Sequence, residues 1–315
     1  MIDKQGREIT YLRISVTDKC NLRCRYCMPE EGVCKKSHAD MLSEDEIIMA
    51  VEAAASLGIH KIRITGGEPM VKKNIVSICR RVAATPGIEE VCLTTNGILL
   101  PQLGKELKAA GVKRINLSLD TLDPDKYAYI TRIGKLEAFR EGLKAALNAG
   151  FEKIKVNAVL IGGFNDDEIV NLANLTREYP VDMRFIELMP FSGQGEKEEL
   201  VVTENELLGK FSYLSPCNSE DASVAKYYTA ENFQGRVGFI SPRSHKFCSK
   251  CNRIRLLADG RLKPCLGNDK VYDIRSFIGD KELLSQKIEE IIYNKPSSHH
   301  FEDGENFRGL NLIGG

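Results

Sequence analysis

Between residues 11 and 189 the chain alternates six β-rich runs with amphipathic helical stretches, and this alternation constrains the fold more than any other feature. The runs are "YLRISVT", "KIRITGG", "EVCLTTN", "RINLSLD", "KIKVNAVLI" and "VDMRFIELM". Between the first two lies "SEDEIIMAVEAAASLG", where Ser43 is placed to cap a helix with Glu46 three residues on, and Gly58 to end it. Strands joined through helices run parallel, under a helical cover. An open doubly wound sheet satisfies that pattern, but a closed or partly closed barrel is expected for residues 1–190, the partial form being a (β/α)6 barrel of the TIM type. After Pro190, "FSGQGEKEEL" ends the alternation. The short strands "YYTA", "RVGFIS" and "IRLLAD" and a helix near 280–294 read as a small C-terminal α+β subdomain, residues 191–315.

The strands also carry polar residues at period two: Arg13, Ser15 and Thr17; Arg63 and Thr65; Thr94 and Asn96; Asn116, Ser118 and Asp120; Lys155 and Asn157. In a half-exposed antiparallel sheet this set would face water. Under a helical cover the apolar set faces the helices, so the polar set faces inward. A lumen holding arginine and lysine from several strands suits an anionic ligand better than a dry core. The chain as a whole is neutral, with 44 basic and 44 acidic residues, so any anion must be met by such a local cluster. Nothing in this balance suggests nucleic acid or an anionic membrane as a partner. The opening "MIDKQGREIT" lacks the apolar core of a signal peptide, and no apolar run suits a membrane span; a cytoplasmic protein is expected.

In that reducing compartment, clustered cysteines read first as metal ligands. Six of the ten are clustered, while Cys34, Cys79, Cys92 and Cys217 are scattered and read as packing residues. Cys20, Cys24 and Cys27 form C-x3-C-x2-C with no adjacent fourth ligand. Structural zinc closes its tetrahedron, whereas a [4Fe–4S] cube on three thiolates keeps one iron open for a small molecule, so the spacing favours the cube over zinc. The loop follows the first strand, at the mouth where barrels keep their chemistry. At the end of the second strand "TGGEP", residues 65–69, offers Gly66 and Gly67 for close backbone approach and Glu68 as an acceptor for an ammonium group.

A second trio, Cys248, Cys251 and Cys265, is again one ligand short, with His245 nearby as the candidate for a zinc ribbon. Arg253 and Arg255 alternate between its cysteines and would share a face of an extended segment, a compact anion clamp.

The first trio, with Tyr26 before its last cysteine, resembles that of the radical S-adenosylmethionine (SAM) enzymes. "TGGEP" in that family meets the methionine end of SAM. Nearly the whole chain resembles the GTP 3′,8-cyclase family of molybdenum cofactor biosynthesis, with "DKCNLRCRYCMPEEG", "TGGEP", "TTNG", "SLDTLDP", "RFIELMP", "FCSKCNRIRLLADGRLKPCL" and terminal "LIGG" in family order. The resemblance implies two [4Fe–4S] clusters, on Cys20, Cys24 and Cys27 and on Cys248, Cys251 and Cys265. It implies SAM contacts at Tyr26, Gly67, Ser118 and Met189, and GTP contacts at Arg13, Arg63, Thr94, Lys155, Arg253, Ile254 and Arg255. Gly314 and Gly315 would reach the active site as a catalytic tail. The implied reaction is radical cyclisation: the deoxyadenosyl radical takes the ribose 3′ hydrogen of GTP, and the carbon radical attacks C8. One further electron and a proton complete (8S)-3′,8-cyclo-7,8-dihydroguanosine 5′-triphosphate, for the next enzyme of the pterin pathway. A reducing electron donor is implied as partner, and a homodimer as the assembly. Departures from the family pattern are Arg132 for its usual glycine, Ile133 for arginine, Lys72 and Lys73 for arginine, and Leu310 for methionine. Two other readings of the residues stay open: a radical SAM enzyme with an auxiliary cluster acting on a peptide, and a non-catalytic metal-binding protein.

Overall fold

The computed structural model describes residues 1–33, 40–191, 200–218 and 224–301. Cys34, Leu310, Gly314 and Gly315 lie outside them. Six parallel strands follow one another in spatial order: β1 (Tyr11–Ser15), β2 (Lys61–Thr65), β3 (Glu90–Thr95), β4 (Val112–Ser118), β5 (Lys153–Leu160) and β6 (Val181–Glu187). The helices α1 (Glu44–Ser56), α2 (Ile75–Ala84), α3 (Leu100–Ala109), α4 (Pro124–Thr131), α5 (Leu136–Asn148) and α6 (Ile169–Glu178) occupy the crossovers. Of the closed or partly closed barrel expected from the alternation, this is the partial form. The α1 cap forms as read: Ser43 Oγ accepts from the Glu46 amide and Glu46 accepts from the Ser43 amide. Gly58, at φ 88°, carries the chain out of the helix.

The apolar residue set of each strand packs outward. Ile14, Ile62, Leu93, Ile115, Val156 and Met183, one from each strand, share a single core with Val51, Ile78, Leu107, Leu143 and Leu172 of the helices. Burial of such a layer is the main stabilising term.

The C-terminal elements are α7 (Glu204–Gly209), β7 (Ser215–Cys217), β8 (Lys226–Thr229), β9 (Val237–Ile240), β10 (Arg253–Leu256), β11 (Arg261–Lys263), β12 (Tyr272–Asp273) and α8 (Lys281–Tyr293). They continue the same sheet at both edges, giving the order β12-β11-β10-β1-β2-β3-β4-β5-β6-β9-β8-β7. Both joining pairs are parallel: β10 on β1, with Arg13 opposite Arg255, and β9 on β6, with Arg184 opposite Gly238. Sequence analysis missed β7, β11 and β12, which are only two or three residues long.

Asp182 fastens the β9 edge. Its carboxylate, 0 % exposed, accepts from Arg236 Nη2 at 2.9 Å and lies 3.2 Å from Lys153 Nζ. Burial opposes its ionisation, but Arg236 and Lys153 outweigh that and hold its pKa below the usual carboxylate range. The folded chain therefore keeps this carboxylate ionised where the unfolded chain has taken up a proton. The stability it contributes is present above the unfolded pKa, about 4, and is lost as pH falls through the folded value. Asp182→Ala is expected to cost about 2–3 kcal/mol in a urea titration at pH 7 and to flatten the acid side of the stability profile. An unchanged midpoint would remove this ion pair from the fold's support.

Candidate active site

The first cysteine loop leaves β1 at its C-terminal end, and TGGEP leaves β2 beside it. The two segments touch through backbone: the Gly67 amide donates to Thr17 O and the Glu68 amide to Lys19 O, both at 2.8 Å. A Cβ on Gly66 would sit 2.6 Å from Thr17 O, and one on Gly67 would collide with Lys19 O. The glycine pair is thus required by close approach, as the sequence suggested, although what approaches is the cysteine loop itself. Glu68 is held by protein donors. Its carboxylate, 1 % exposed, accepts from Thr95 Oγ1 and the Asn96 amide at 2.8 Å and from the Met70 amide at 3.1 Å. These bonds of Glu68 tie β2 to β3. Burial pushes its pKa up to about 7 against those three donors.

The three thiols of the loop are partly buried and feel one another's charge. Burial raises the pKa of Cys24 well above the usual thiol value, with the charges of Asp120, Cys27 and Cys20 adding to it. Burial also raises Cys20, against the Leu22 amide that donates to its sulfur at 3.3 Å. Three soft donors crowded this way are poor anions alone and good ligands to a cationic iron group, which displaces their protons. The donor set fits an iron–sulfur cluster.

Tyr26 and Met189 line one cleft with Val159, Glu187, Leu188 and Phe191. The Tyr26 hydroxyl donates to Asp120 Oδ2 at 2.8 Å, and Asp120 Oδ1 accepts from the Val159 amide at 2.9 Å. Burial brings the Asp120 pKa up to about 6. Ser118 ends β4 opposite Asn157, and Gly67 lies against the cysteine loop. Sequence analysis missed the cleft's Glu187, whose carboxylate accepts from the Arg243 amide at 2.7 Å and the Ser244 amide at 3.1 Å.

The lumen below is cationic. Arg63, Lys155 and Arg255 are each 7 % exposed, and Arg184, which sequence analysis passed over, is 9 % exposed. The signal for Arg184 was available: it sits two residues after Asp182 in "VDMRFIELM", on the polar period already traced in the other strands. Arg63 donates to the Tyr11 hydroxyl and reaches Thr94 Oγ1 at 3.5 Å, while Arg184 donates to Asn157 Oδ1 at 2.8 Å. Burial, then the charges of Arg255, Arg63 and Arg253, push Arg13 down to about 9. Burial and Arg253 push Arg255 down to about 10. Among the described residues, Nε of Arg253 and Nε of Arg255 are buried without an acceptor. Ile254, between them, is 0 % exposed in the apolar core, because alternation turns it to the opposite face. Its side chain therefore cannot touch a ligand in the lumen, and any contact it makes there is through backbone.

The second trio sits at the other end of the same strands. Cys251 precedes β10, which is parallel to β1, whereas Cys20 follows β1. At about 3.3 Å per residue, the trios lie roughly 20 Å apart along the strands with the arginines between them. Burial raises the Cys248 pKa; for Cys251 burial is outweighed by the charges of Arg253 and Lys295, which bring it down to about 6. Lys295, 2 % exposed, donates to Arg253 O at 3.0 Å and Pro264 O at 2.5 Å. Arg7, paired with Asp3 at 2.6 Å, donates to Cys248 O at 3.0 Å and Pro296 O at 2.7 Å. Neither Lys295 nor Arg7 gives a sequence signal, since each acts on a segment far along the chain. His245, the candidate zinc ligand, instead lies 3.5 Å from Glu204. Among the described residues no three His, Cys, Asp or Glu side chains converge on a single-ion position, and no helix is long and apolar enough to cross a membrane.

Of the departures noted in the sequence, Lys72 reaches Leu42 O at 3.4 Å and Ile133 is 61 % exposed.

The pattern of the radical SAM superfamily matches residues 14–176, and that of the molybdenum cofactor synthesis C-terminal family matches residues 181–301. The chain is 48 % identical to a GTP 3′,8-cyclase of Peptoclostridium acidaminophilum, over 100 % of this chain and 98 % of that one. It is 47 % identical to the GTP 3′,8-cyclase of Moorella thermoacetica over 100 % of both chains. The one from Clostridium botulinum strain Hall is 45 % identical, over 95 % of this chain and 94 % of the relative. Among solved structures, Streptococcus suis SuiB bound to S-adenosylmethionine superposes with a TM-score of 0.64 at 16 % identity, covering 92 % of this chain and 66 % of that one, just under two thirds of its length. Methylornithine synthase (PylB) gives 0.51 at 16 % identity, over 65 % of this chain and 61 % of that one. These two likenesses speak for the fold.

Proposed function

The chain belongs to the radical SAM superfamily and, within it, to the GTP 3′,8-cyclases of molybdenum cofactor synthesis, and on that footing we propose how its residues divide the work. Residues 1–190 initiate the radical; residues 191–315 complete the grip on GTP. Cys20, Cys24 and Cys27 would hold a [4Fe–4S] cluster, and the cleft of Tyr26 and Met189, together with Gly67 and Ser118, would take SAM. When bound, this pair supplies reductive cleavage of SAM to methionine and a 5′-deoxyadenosyl radical. Asp120 orients Tyr26. Cys248, Cys251 and Cys265 would hold a second [4Fe–4S] cluster, which would offer an open iron to the guanine base.

The observation that carries this reading is the crowd of buried guanidinium groups between the trios. Burial, with the charges of Arg255, Arg63 and Arg253 added to it, pushes Arg13 down to about 9. A triphosphate relieves that repulsion and fills the open hydrogen bonds of Arg253 and Arg255. With Arg184, Lys155 and Thr94 beside them, these groups fix GTP so that its ribose meets the SAM end and its base the other. Holding the reacting carbons in place and excluding water is the protein's share of the catalysis. The reductant is an external one-electron donor in the cytoplasm, and the product passes to the next enzyme of the pathway.

Anaerobic incubation with SAM, reductant and GTP tests the proposal. One hydrogen atom leaves C3′, and an electron and a proton later enter, so the nucleotide product is an isomer of GTP. The expected result is 5′-deoxyadenosine together with a nucleotide of unchanged mass and altered retention. Deoxyadenosine with unaltered GTP, or with a modified added peptide, would overturn it.

A further inference from the structure

Helix α4 ends at Thr131, and the carbonyls of its last turn have no helical donors of their own. The first cysteine loop supplies them. The Arg23 amide donates to Thr131 O at 3.1 Å, the Arg25 amide to Ile130 O at 2.9 Å and Arg25 Nε to Tyr129 O at 2.8 Å. The next residue returns the contact. Arg132 caps α4 at φ 64° and ψ −42°, and among the described non-glycine residues only Asn232 has a positive φ besides it. An L side chain adopts that conformation at a cost. Its guanidinium folds back over the loop, where Nη1 donates to Arg23 O at 2.7 Å and to Met28 O at 3.0 Å. Arg23 and Met28 are the residues immediately outside Cys24 and Cys27.

We infer that Arg132 is a positioning residue for the first trio: a single guanidinium group ties both ends of the Cys24–Cys27 segment and sets the spacing at which its thiols meet a cluster. A residue serving only to end α4 at φ 64° and ψ −42° would be better as glycine, so backbone conformation alone does not account for an arginine. The two carbonyl contacts do. Arg132 touches no reacting group and acts through the loop, so the inference is independent of how the lumen binds its nucleotide.

The test is hydrogen–deuterium exchange on the full-length, metal-free chain. Arg132→Gly suits the positive φ and is expected to fold with a Tm equal to or above that of the parent, and Arg132→Asn, which keeps a side chain at that backbone, is expected to fold with a Tm close to the parent's. The Cys27 and Met28 amides, which donate to Cys24 O at 3.0 Å, report the loop. In both variants these amides are expected to exchange about tenfold faster, with the rest of the chain unchanged. After anaerobic reconstitution, KM for SAM should rise while GTP affinity holds. Unchanged exchange at residues 24–28 overturns the inference. So does faster exchange spread over the whole chain with a lower Tm, which would make Arg132 a residue of general stability.

Discussion

Cys251→Ala is expected to leave formation of 5′-deoxyadenosine within about threefold of the parent, while the cyclised nucleotide falls by at least about a thousandfold. Cys24→Ala is expected to abolish both products. The asymmetry follows from position. Cys24 lies in the loop at the SAM end of the lumen, and Cys251 lies before β10 at the opposite end, with the arginines between. Loss of one thiolate from either trio leaves two, too few to hold a cube already one ligand short. Iron should therefore fall from about eight atoms per chain to about four in each variant. The measurements are iron and sulfide content and the ratio of the two products. If Cys251→Ala still made the cyclised nucleotide at the parent rate, the second trio would have no part in substrate handling.

Arg255→Met is expected to weaken GTP binding about 10- to 100-fold while making the nucleotide-free chain more stable, by about 2 °C in Tm. The loss follows from removing a charge-assisted donor to phosphate. The gain follows from relieving a cluster in which burial and mutual charge push Arg13 to about 9 and Arg255 to about 10. Both folded values lie below the unfolded arginine value, so below pH 9 the folded chain carries the full penalty of these charges. As pH rises through 9 to 10 the folded chain sheds protons that the unfolded chain keeps, and stability rises. The parent should thus gain stability between pH 8 and 10, and Arg255→Met should show a flatter profile. Isothermal titration with GTP and thermal melts across that range check both halves. A variant that binds GTP as the parent does would remove Arg255 from the triphosphate site.

Local signals carried far in this chain. The Ser43–Glu46 cap and the positions of the six barrel strands β1 to β6 need only the neighbouring residues, and each formed as read. The cysteine trios were legible for the same reason, because C-x3-C-x2-C and C-x2-C are short patterns. What the sequence does not display is pairing at long range. That β10 would lie parallel on β1, setting Arg255 opposite Arg13, depends on where a strand 242 residues away docks, and no periodicity encodes it. The same limit hid Arg7 and Lys295, whose acceptors are backbone carbonyls from other parts of the chain. The partners of Glu68 were hidden in the same way, because Thr95 donates from the end of β3 and Asn96 from just beyond it.

The pairing of Tyr11 with Arg253 has a consequence for how the molecule comes into being. During synthesis the six consecutive strands can assemble as they emerge, since each meets its predecessor. The outer side of β1 then presents bare amides and carbonyls until more than 240 further residues have been made, a sticky border of the kind that recruits other chains. The late segment is therefore the closing piece of the early one, and a nascent chain arrested short of it carries an unsealed sheet.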